Sequence, residues 1–561
     1  MMTISALSQG RRGPRSDTCK ALLVYPRFNP NSFWNYQATC DLVGAKYSAA
    51  PLGLITVAAL LPSSWNLKFV NRNTERLEES DLSWADVVLT GGMLPQQRDT
   101  LRIIAAAHAH GKPVVIGGPD VTSSPHVYAN AEFQVLGEAE GVIDEFLEAW
   151  AAGAEHGQYQ AKGFPDVTKS PVPRFDLLTF HQYLNVGVQF SRGCPFNCEF
   201  CDIIELYGRV PRTKTDAQML RELDALYALG YRGHVDFVDD NLIGNKRRVK
   251  EFLPHLRSWL RDHRDPFEFT TEATINLADD PELLPLMKET NFFAIFVGIE
   301  SPDTDTLLHM QKPQNTRRVL QDSIQKFYRA GIFVHAGFIF GFDTEHAGVA
   351  AGMVKCIEDT AVPACMIGLL YALPNTQLTR RLLKEGRLHP NHDRALTDED
   401  ADQCTSGLNF RTLRPRTDVL GDYRWVLDRV YAPAAYFARV RRVGRQLDCS
   451  TKRFKMPVKY MLRDARSFVR MAWRMGVRNA DVRRHFWTTF IVCALRNPRA
   501  LRYVGSMVAL YLHFGPFARY ISARLTAEID AAPSPLADSP NLLFRQEPAA
   551  YLSPNPLQRP N

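Results

Sequence analysis

The chain has little cysteine and no long apolar run, and each shortage excludes something. Ten cysteines are scattered over 561 residues, too few and too dispersed for a disulfide framework, so a reducing, cytoplasmic setting is expected. No uninterrupted apolar stretch reaches the roughly 18–20 residues that a transmembrane helix needs. The N-terminus, MMTISALSQGRRGPRSDTCK, carries an arginine pair with no apolar segment after it, which argues against a secretory signal. No G-x-G-x-x-G follows the first strand-like segment, and no repeat of solenoid period is visible. What remains is an ordinary composition, 45% hydrophobic and 23% charged, with length for about three to four domains.

Acidic residues are the next shortage, and it is local. Between Arg439 and Arg524 there are 20 Lys and Arg but three acids, Asp448, Asp464 and Asp481. The net charge of +7 therefore hides an acidic body joined to a basic C-terminal block, and that block needs its own explanation.

Residues 1–19 are polar and expected to be disordered. From Ala21 a repeating pattern begins. ALLVYPRF, NLKFVNRN, WADVVLTGGM, KPVVIGGPD and FQVLGEAEG read as strands, with helices such as PLGLITVAALLP and QRDTLRIIAAAHAHG between them. This alternation predicts a parallel sheet covered on both faces, a doubly wound, Rossmann-like domain over residues 20–153. Residues 154–184, with FPDVTKSPVPRF, read as a linker. The β/α pattern then restarts over 185–410 with six strand–helix units, which predicts a partial barrel with its site at the strands' C-terminal ends. Residues 411–530 show only helical patterns, and 531–561 form a Pro-rich segment expected to be disordered.

The chemistry concentrates in SRGCPFNCEFC, where Cys194, Cys198 and Cys201 stand within eight positions. A structural zinc site wants four ligands, usually as two paired hooks. No second hook lies within 30 residues, and His234 is the nearest downstream histidine. A disulfide would leave one thiol over. An iron–sulfur cubane ordinarily takes four thiolates, so three leave one iron open to bind something else. An open-cornered cluster is the best physical reading.

With its aromatic Phe200 and the strand GVQF just before it, this C-x3-C-x2-C loop resembles that of the radical S-adenosylmethionine (SAM) enzymes. The resemblance implies a 4Fe-4S cluster on the three cysteines, whose open iron chelates SAM, and cleavage of SAM to a 5′-deoxyadenosyl radical that abstracts hydrogen from an unactivated C–H bond. It also places SAM contacts at Phe200, at Asp239, Asp240 and Asn241 in FVDDN, at Glu272 in TEAT, and at Glu300 and Ser301 in GIES. A bland alternative exists for each acid, since Asp and Glu favour helix N-termini anyway.

A doubly wound domain in front of such a barrel is the arrangement of the cobalamin-binding branch of that family. The implied corrin contacts are the turns holding Gly91 and Gly92, Gly117, Gly118 and Pro119, and Gly137 and Glu138. The D-x-H-x-x-G motif of histidine-ligated cobalamin proteins is missing, and His108 and His110 read as surface residues on a helix. The blocks YGRVPRTKT, FVDDNLIGNKR, INLADDPELL, GFIFGFD and ALPNTQL resemble the subgroup with a helical C-terminal extension that includes the hopanoid C-2 methylases, over about residues 20–525.

Two readings of the basic block compete. One is a helical cap with a solvated basic face. The other is a surface resting on anionic lipid at the inner face of the cell membrane through 439–524, with aromatic and aliphatic residues dipping in. Nucleic acid ranks below lipid, because the basic residues sit among bulky apolar ones. The expected activity is a cobalamin-dependent radical SAM methyltransferase acting on a small-molecule or lipid substrate, with a flavodoxin- or ferredoxin-type reductant. The alternatives are a cyclase or oxidoreductase without methyl transfer, and a non-catalytic iron–sulfur electron-transfer or scaffold protein.

Overall fold

The computed structural model describes residues 15–395, 404, 406–450, 452–455 and 458–531; residues 1–14 and the Pro-rich segment after Ala531 lie outside them. Its first strands are β1 (Lys20–Tyr25), β2 (Tyr47–Ala49), β3 (Asn66–Asn71), β4 (Val87–Gly91), β5 (Val114–Gly117), β6 (Phe133–Leu136) and β7 (Gly157–Gln160). Then come β8 (Tyr183–Val188), the two-residue β9 (Ser191–Arg192) and β10 (Arg212–Thr213), and β11 (Gly233–Phe237). The last are β12 (Phe267–Glu272), β13 (Phe292–Glu300), β14 (Phe333–Phe340) and β15 (Ala364–Leu369).

Two parallel sheets result. The first has the order β3-β1-β4-β5-β6-β7, and the second β15-β14-β13-β12-β11-β8-β2. Strands such as ALLV in β1 and FFAIFV in β13 are almost wholly buried. Such runs suit a sheet covered on both faces, where no alternation with polar residues is needed. Separate apolar cores line the two faces of the first sheet. The second sheet shares one continuous core with the C-terminal helices. The fold is thus a doubly wound domain, a partial barrel and a helical C-terminal region.

Three boundaries move. Residues 154–184 are not linker throughout: β7 pairs with β6 as the edge of the first sheet. Its polar sequence GQYQ alternates in exposure as an edge strand does. Conversely β2, expected in the first domain, pairs with β8 and completes the barrel sheet. Three residues carry no readable period, so only the pairing reveals this strand. Residues 15–19 are held rather than loose, because the Arg15 guanidinium stacks 3.6 Å from the Trp150 ring centroid and donates to Trp150 O.

The helices of the basic block, 416–430, 433–446, 458–471, 480–496 and 501–531, wrap the barrel's outer side. Some of their arginines are anchors. Arg439 is fully buried; Nε donates to Val362 O at 2.9 Å, Nη2 to Val430 O at 2.6 Å, and the guanidinium pairs with Glu358. Arg502 Nη1 meets Glu268 Oε2 on β12 at 2.6 Å. No helix among the described residues is long and apolar enough to cross a membrane. Replacing Arg439 with Met removes the guanidinium donors of two buried carbonyl oxygens and the partner of Glu358, so Arg439→Met is expected to cost about 3 kcal/mol of stability, read by chemical denaturation.

Candidate functional site

The cysteine loop leaves the sheet between β8 and β10, and its first residues are fixed by Asp239. One carboxylate oxygen accepts the Phe190 N–H at 3.0 Å, and the other accepts the Ser191 hydroxyl at 2.6 Å and the Ser191 N–H. Asp239 is thereby committed to the loop's backbone. Next comes Gly193 at φ +92°, where a Cβ would stand 2.8 Å from Gly208 O, so only glycine fits. Cys194 N–H then donates to Gly208 O at 3.2 Å, and Glu199 N–H donates to Met310 O at 3.0 Å. Arg381 grips the Glu199 carboxylate from the far side of the barrel, with Nε–Oε1 2.6 Å and Nη2–Oε2 3.2 Å.

The three cysteines are free and half-buried. Burial pushes each thiol above its ordinary value; the neighbouring cysteines add to this for Cys194 and Cys201, and Glu300 adds to it for Cys198. Three crowded thiolates need a cationic partner to exist at neutral pH, which suits soft thiolate-bound iron. Among the described residues no three His, Cys, Asp or Glu side chains converge as ligands of a single ion do. Asn241 Nδ2 lies 3.9 Å from Cys194 Sγ, while its Oδ1 accepts Thr274 N–H at 3.2 Å. It orients a cysteine rather than facing open space.

Asp240 is different. Its Oδ2 is buried with no hydrogen-bond partner, an arrangement that awaits a donor. Burial first, then the neighbouring Asp239, pushes its carboxyl up to about 7, although the Gly193 N–H pulls it down. Glu272 ends β12, where its side chain is open to solvent although protein crowds around it. Burial and the charges of Asp240, Asp236, Asp239 and Glu300 push it up to about 8. Glu300 sits at φ +66°, a strained value for a non-glycine residue. Its Oε1 accepts from Lys312 Nζ at 2.5 Å. Ser301 turns inward, accepting Asp303 N–H at 3.2 Å. Phe200 packs edge-on against Phe342, centroids 6.0 Å apart.

Sequence reasoning missed Lys312. It is buried, holds Glu300, and its ammonium favours ionisation of Cys198. A lone lysine in HMQKPQN shows no sign of this, because Cys198 lies far away in the chain and nothing local turns Lys312 back toward Glu300.

The glycine turns of the first sheet form a shelf at the strands' C-terminal ends. A Cβ on Gly91 would stand 2.1 Å from Gly117 O, and one on Gly118 3.4 Å from Gly92 N. Gly118 and Gly137 have φ of +98° and +89°, and Pro119 starts a short helix. A side-chain-free shelf of this kind accepts a flat ligand closely. Glu138 does not face it. Its carboxylate is gripped by Arg192 Nη1 at 2.7 Å and Arg212 Nη2 at 2.6 Å, while Arg192 Nη2 holds Glu140 at 2.7 Å. Arg192 is two residues before Cys194, so this cluster bolts the third glycine turn to the cysteine loop.

Burial would push the Glu140 carboxyl up, but hydrogen bonds and charge from Arg192 outweigh it and hold the group at about 2, below its ordinary 4.5. The pair's stabilisation is therefore complete above pH 4.5 and lost as pH falls toward 2. Wild type is expected to lose its stability advantage over Glu140→Gln across that window, and to keep it unchanged above pH 5.5 or so, as denaturation at stepped pH will read.

Comparison with known proteins places this geometry. Residues 188–348 match the model of the radical SAM superfamily, and residues 376–527 match a domain of unknown function, DUF4070. The chain is 44% identical over 502 residues to a protein of Synechocystis sp. named as an uncharacterized methyltransferase, covering 88% of this chain and 91% of that one. It is 34% identical over 480 residues to the hopanoid C-2 methylase of Rhodopseudomonas palustris, covering 83% and 88%. The cobalamin-dependent SAM radical enzyme OxsB, solved with aqua-cobalamin, shares the fold with a TM-score of 0.57 at 14% identity, over 92% of this chain and 81% of that one. The radical SAM domain implies a 4Fe-4S cluster and SAM as cofactors. With relatives this similar over nearly their whole length, the chain belongs to the radical SAM superfamily, in the methyltransferase family that includes the hopanoid C-2 methylase.

Proposed function

We propose that this protein is a cobalamin-dependent radical SAM methyltransferase that methylates an unactivated carbon of a hydrophobic, hopanoid-like substrate. One observation carries the reading: the cysteine loop and the glycine shelf are joined by the Arg192–Glu138–Arg212 cluster, so a radical-generating centre and a flat-cofactor shelf are held side by side. When bound, the cluster, SAM and cobalamin supply the radical and the methyl group.

The chain's own residues do the holding. Cys194, Cys198 and Cys201 would ligate three irons, with Asn241 orienting the first. The free oxygen of Asp240 suits the SAM ammonium, and the accessible carboxylate of Glu272 at the end of β12 suits a sugar hydroxyl. Glu300 and Lys312 would keep paired charge beside the cluster. Gly91, Gly92, Gly117, Gly118, Pro119 and Gly137 would bear the corrin, with Glu138 as their fastening. Trp34 packs against Phe296, centroids 5.5 Å apart, on the barrel face that also carries Gly298 and Glu300; this apolar wall supports a hydrophobic substrate. An external reductant has an approach on the loop's outer side, a cleft of about 420 Å³ lined by Pro195, Phe196, Asn197, Arg209 and Pro313.

Cys198→Ala is expected to abolish the visible absorbance of anaerobically reconstituted protein and all SAM cleavage. Asp240→Asn is expected to keep the absorbance and weaken SAM binding about 10- to 100-fold, as loss of a charged hydrogen bond does. For the reaction itself, lipid extracts of cells with and without the protein are compared by mass spectrometry. The expected result is a species heavier by one methylene, labelled from methyl-labelled SAM. A product altered without label would instead identify a cyclase or oxidoreductase.

A further inference from the structure

Half of the large apolar side chains exposed among the described residues fall between Met461 and Leu495. They belong to the 458–471 and 480–496 helices and the π-helical turn Ala472–Val477 between them. The helices meet through Phe468, whose ring centroid lies 5.0 Å from that of Phe490 and 6.3 Å from that of Phe486. Each helix already satisfies the fold with a separate inward stripe: Ser467, Met471 and Met475 on the first, Val482, Phe486, Thr489 and Cys493 on the second.

The outward stripes are therefore surplus to folding. On the first helix Leu462, Ala465, Val469 and Trp473 recur at spacings of three and four, all exposed; on the second, Trp487, Ile491 and Leu495 do the same. Leu495 is 79% exposed and Trp473 55%. One position along from the first stripe runs Arg463, Arg466, Arg470 and Arg474, also exposed. Residues 458–499 hold ten Lys and Arg against Asp464 and Asp481. Asp464 is taken by Arg463 at 3.1 Å, and Arg466, Arg474, Arg483, Arg484, Arg496 and Arg499 have no carboxylate partner among the described residues.

An apolar stripe flanked by unneutralised arginines, with two tryptophans on it, matches the layered chemistry of an anionic bilayer surface. Acyl chains take the aliphatic residues, the interfacial zone takes tryptophan, and headgroup phosphates take arginine. A nucleic acid would leave the exposed Leu, Ile and Val without a partner. A second copy of the chain would set arginines against arginines. We propose that this helical hairpin is a docking surface for an anionic lipid bilayer. The site lies close to the barrel in the chain's architecture: Ser467 Oγ and Arg470 Nη1 donate to Leu42 O at 3.1 and 3.2 Å. Leu42 lies on the 37–43 helix, directly after the segment that brings Trp34 to Phe296. The proposal rests on surface chemistry alone and does not depend on the reaction assigned above.

The test is flotation of the full chain with vesicles of phosphatidylglycerol and phosphatidylcholine, or of phosphatidylcholine alone, at about 0.1 M salt, where the screening length is near 10 Å. Binding is expected to the anionic vesicles only, with a blue shift of tryptophan emission that Trp473→Phe diminishes. Each arginine near such a surface is worth about fivefold in affinity. Arg466→Gln, Arg474→Gln and Arg484→Gln together are thus expected to weaken binding about 100-fold, and Leu462→Ser with Leu495→Ser to weaken it at unchanged circular dichroism. The proposal is overturned if the full chain ignores anionic vesicles, if these variants bind as wild type does, or if the patch binds transfer RNA or self-associates while vesicles are left untouched.

Discussion

The carboxylate of Asp239 connects two neighbouring parallel strands, and the site's geometry follows from that connection. Leaving β11, it takes the backbone N–H groups of Phe190 and Ser191 just after β8. Burial pushes this carboxyl up to about 6, and it is those donors that stop it going further. The loop is thereby launched in one direction, and Gly193 turns it. Three cysteines then follow in eight positions on a backbone with little freedom left. Without the clamp, the same loop would be a flexible segment whose thiols have no fixed separation, and assembling a cluster would first have to offset its ordering entropy.

Arginine repeats this logic at longer range. Arg192 and Arg212 share Glu138, and Arg192 also holds Glu140. Bidentate guanidinium pairing fixes orientation as well as distance, so two sheets with separate cores keep one relative placement where their C-terminal edges meet. The chemistry proposed here needs that, since a radical and a methyl donor held by different domains must come to one substrate carbon. The strained backbone of Glu300 and the buried ion pair with Lys312 lie at the same edge, which is where stored strain commonly accompanies function.

The C-terminal helices divide their arginines between two tasks. Arg439 and Arg502 hold the helices to the barrel, one buried against carbonyls and Glu358, the other reaching the buried Glu268 from the surface. Those on the 458–471 and 480–496 helices point outward beside exposed leucine, isoleucine and tryptophan. A single excess of positive charge in the sequence thus contains both a packing device and a surface.

The sequence alone determined what depends on near neighbours. Contiguous apolar runs announced the buried parallel strands, and the spacing of Cys194, Cys198 and Cys201 announced the loop, because residues a few positions apart are close whatever the rest of the chain does. Tertiary structure alone decided which of the adjacent Asp239 and Asp240 is consumed by the backbone and which keeps an open oxygen. It also decided that β2 belongs to the barrel, that Glu138 fastens rather than faces the shelf, and that Lys312 stands beside Cys198. In each case the deciding partner is distant along the chain, and side-chain direction and pairing at such range are set only when the sheets close.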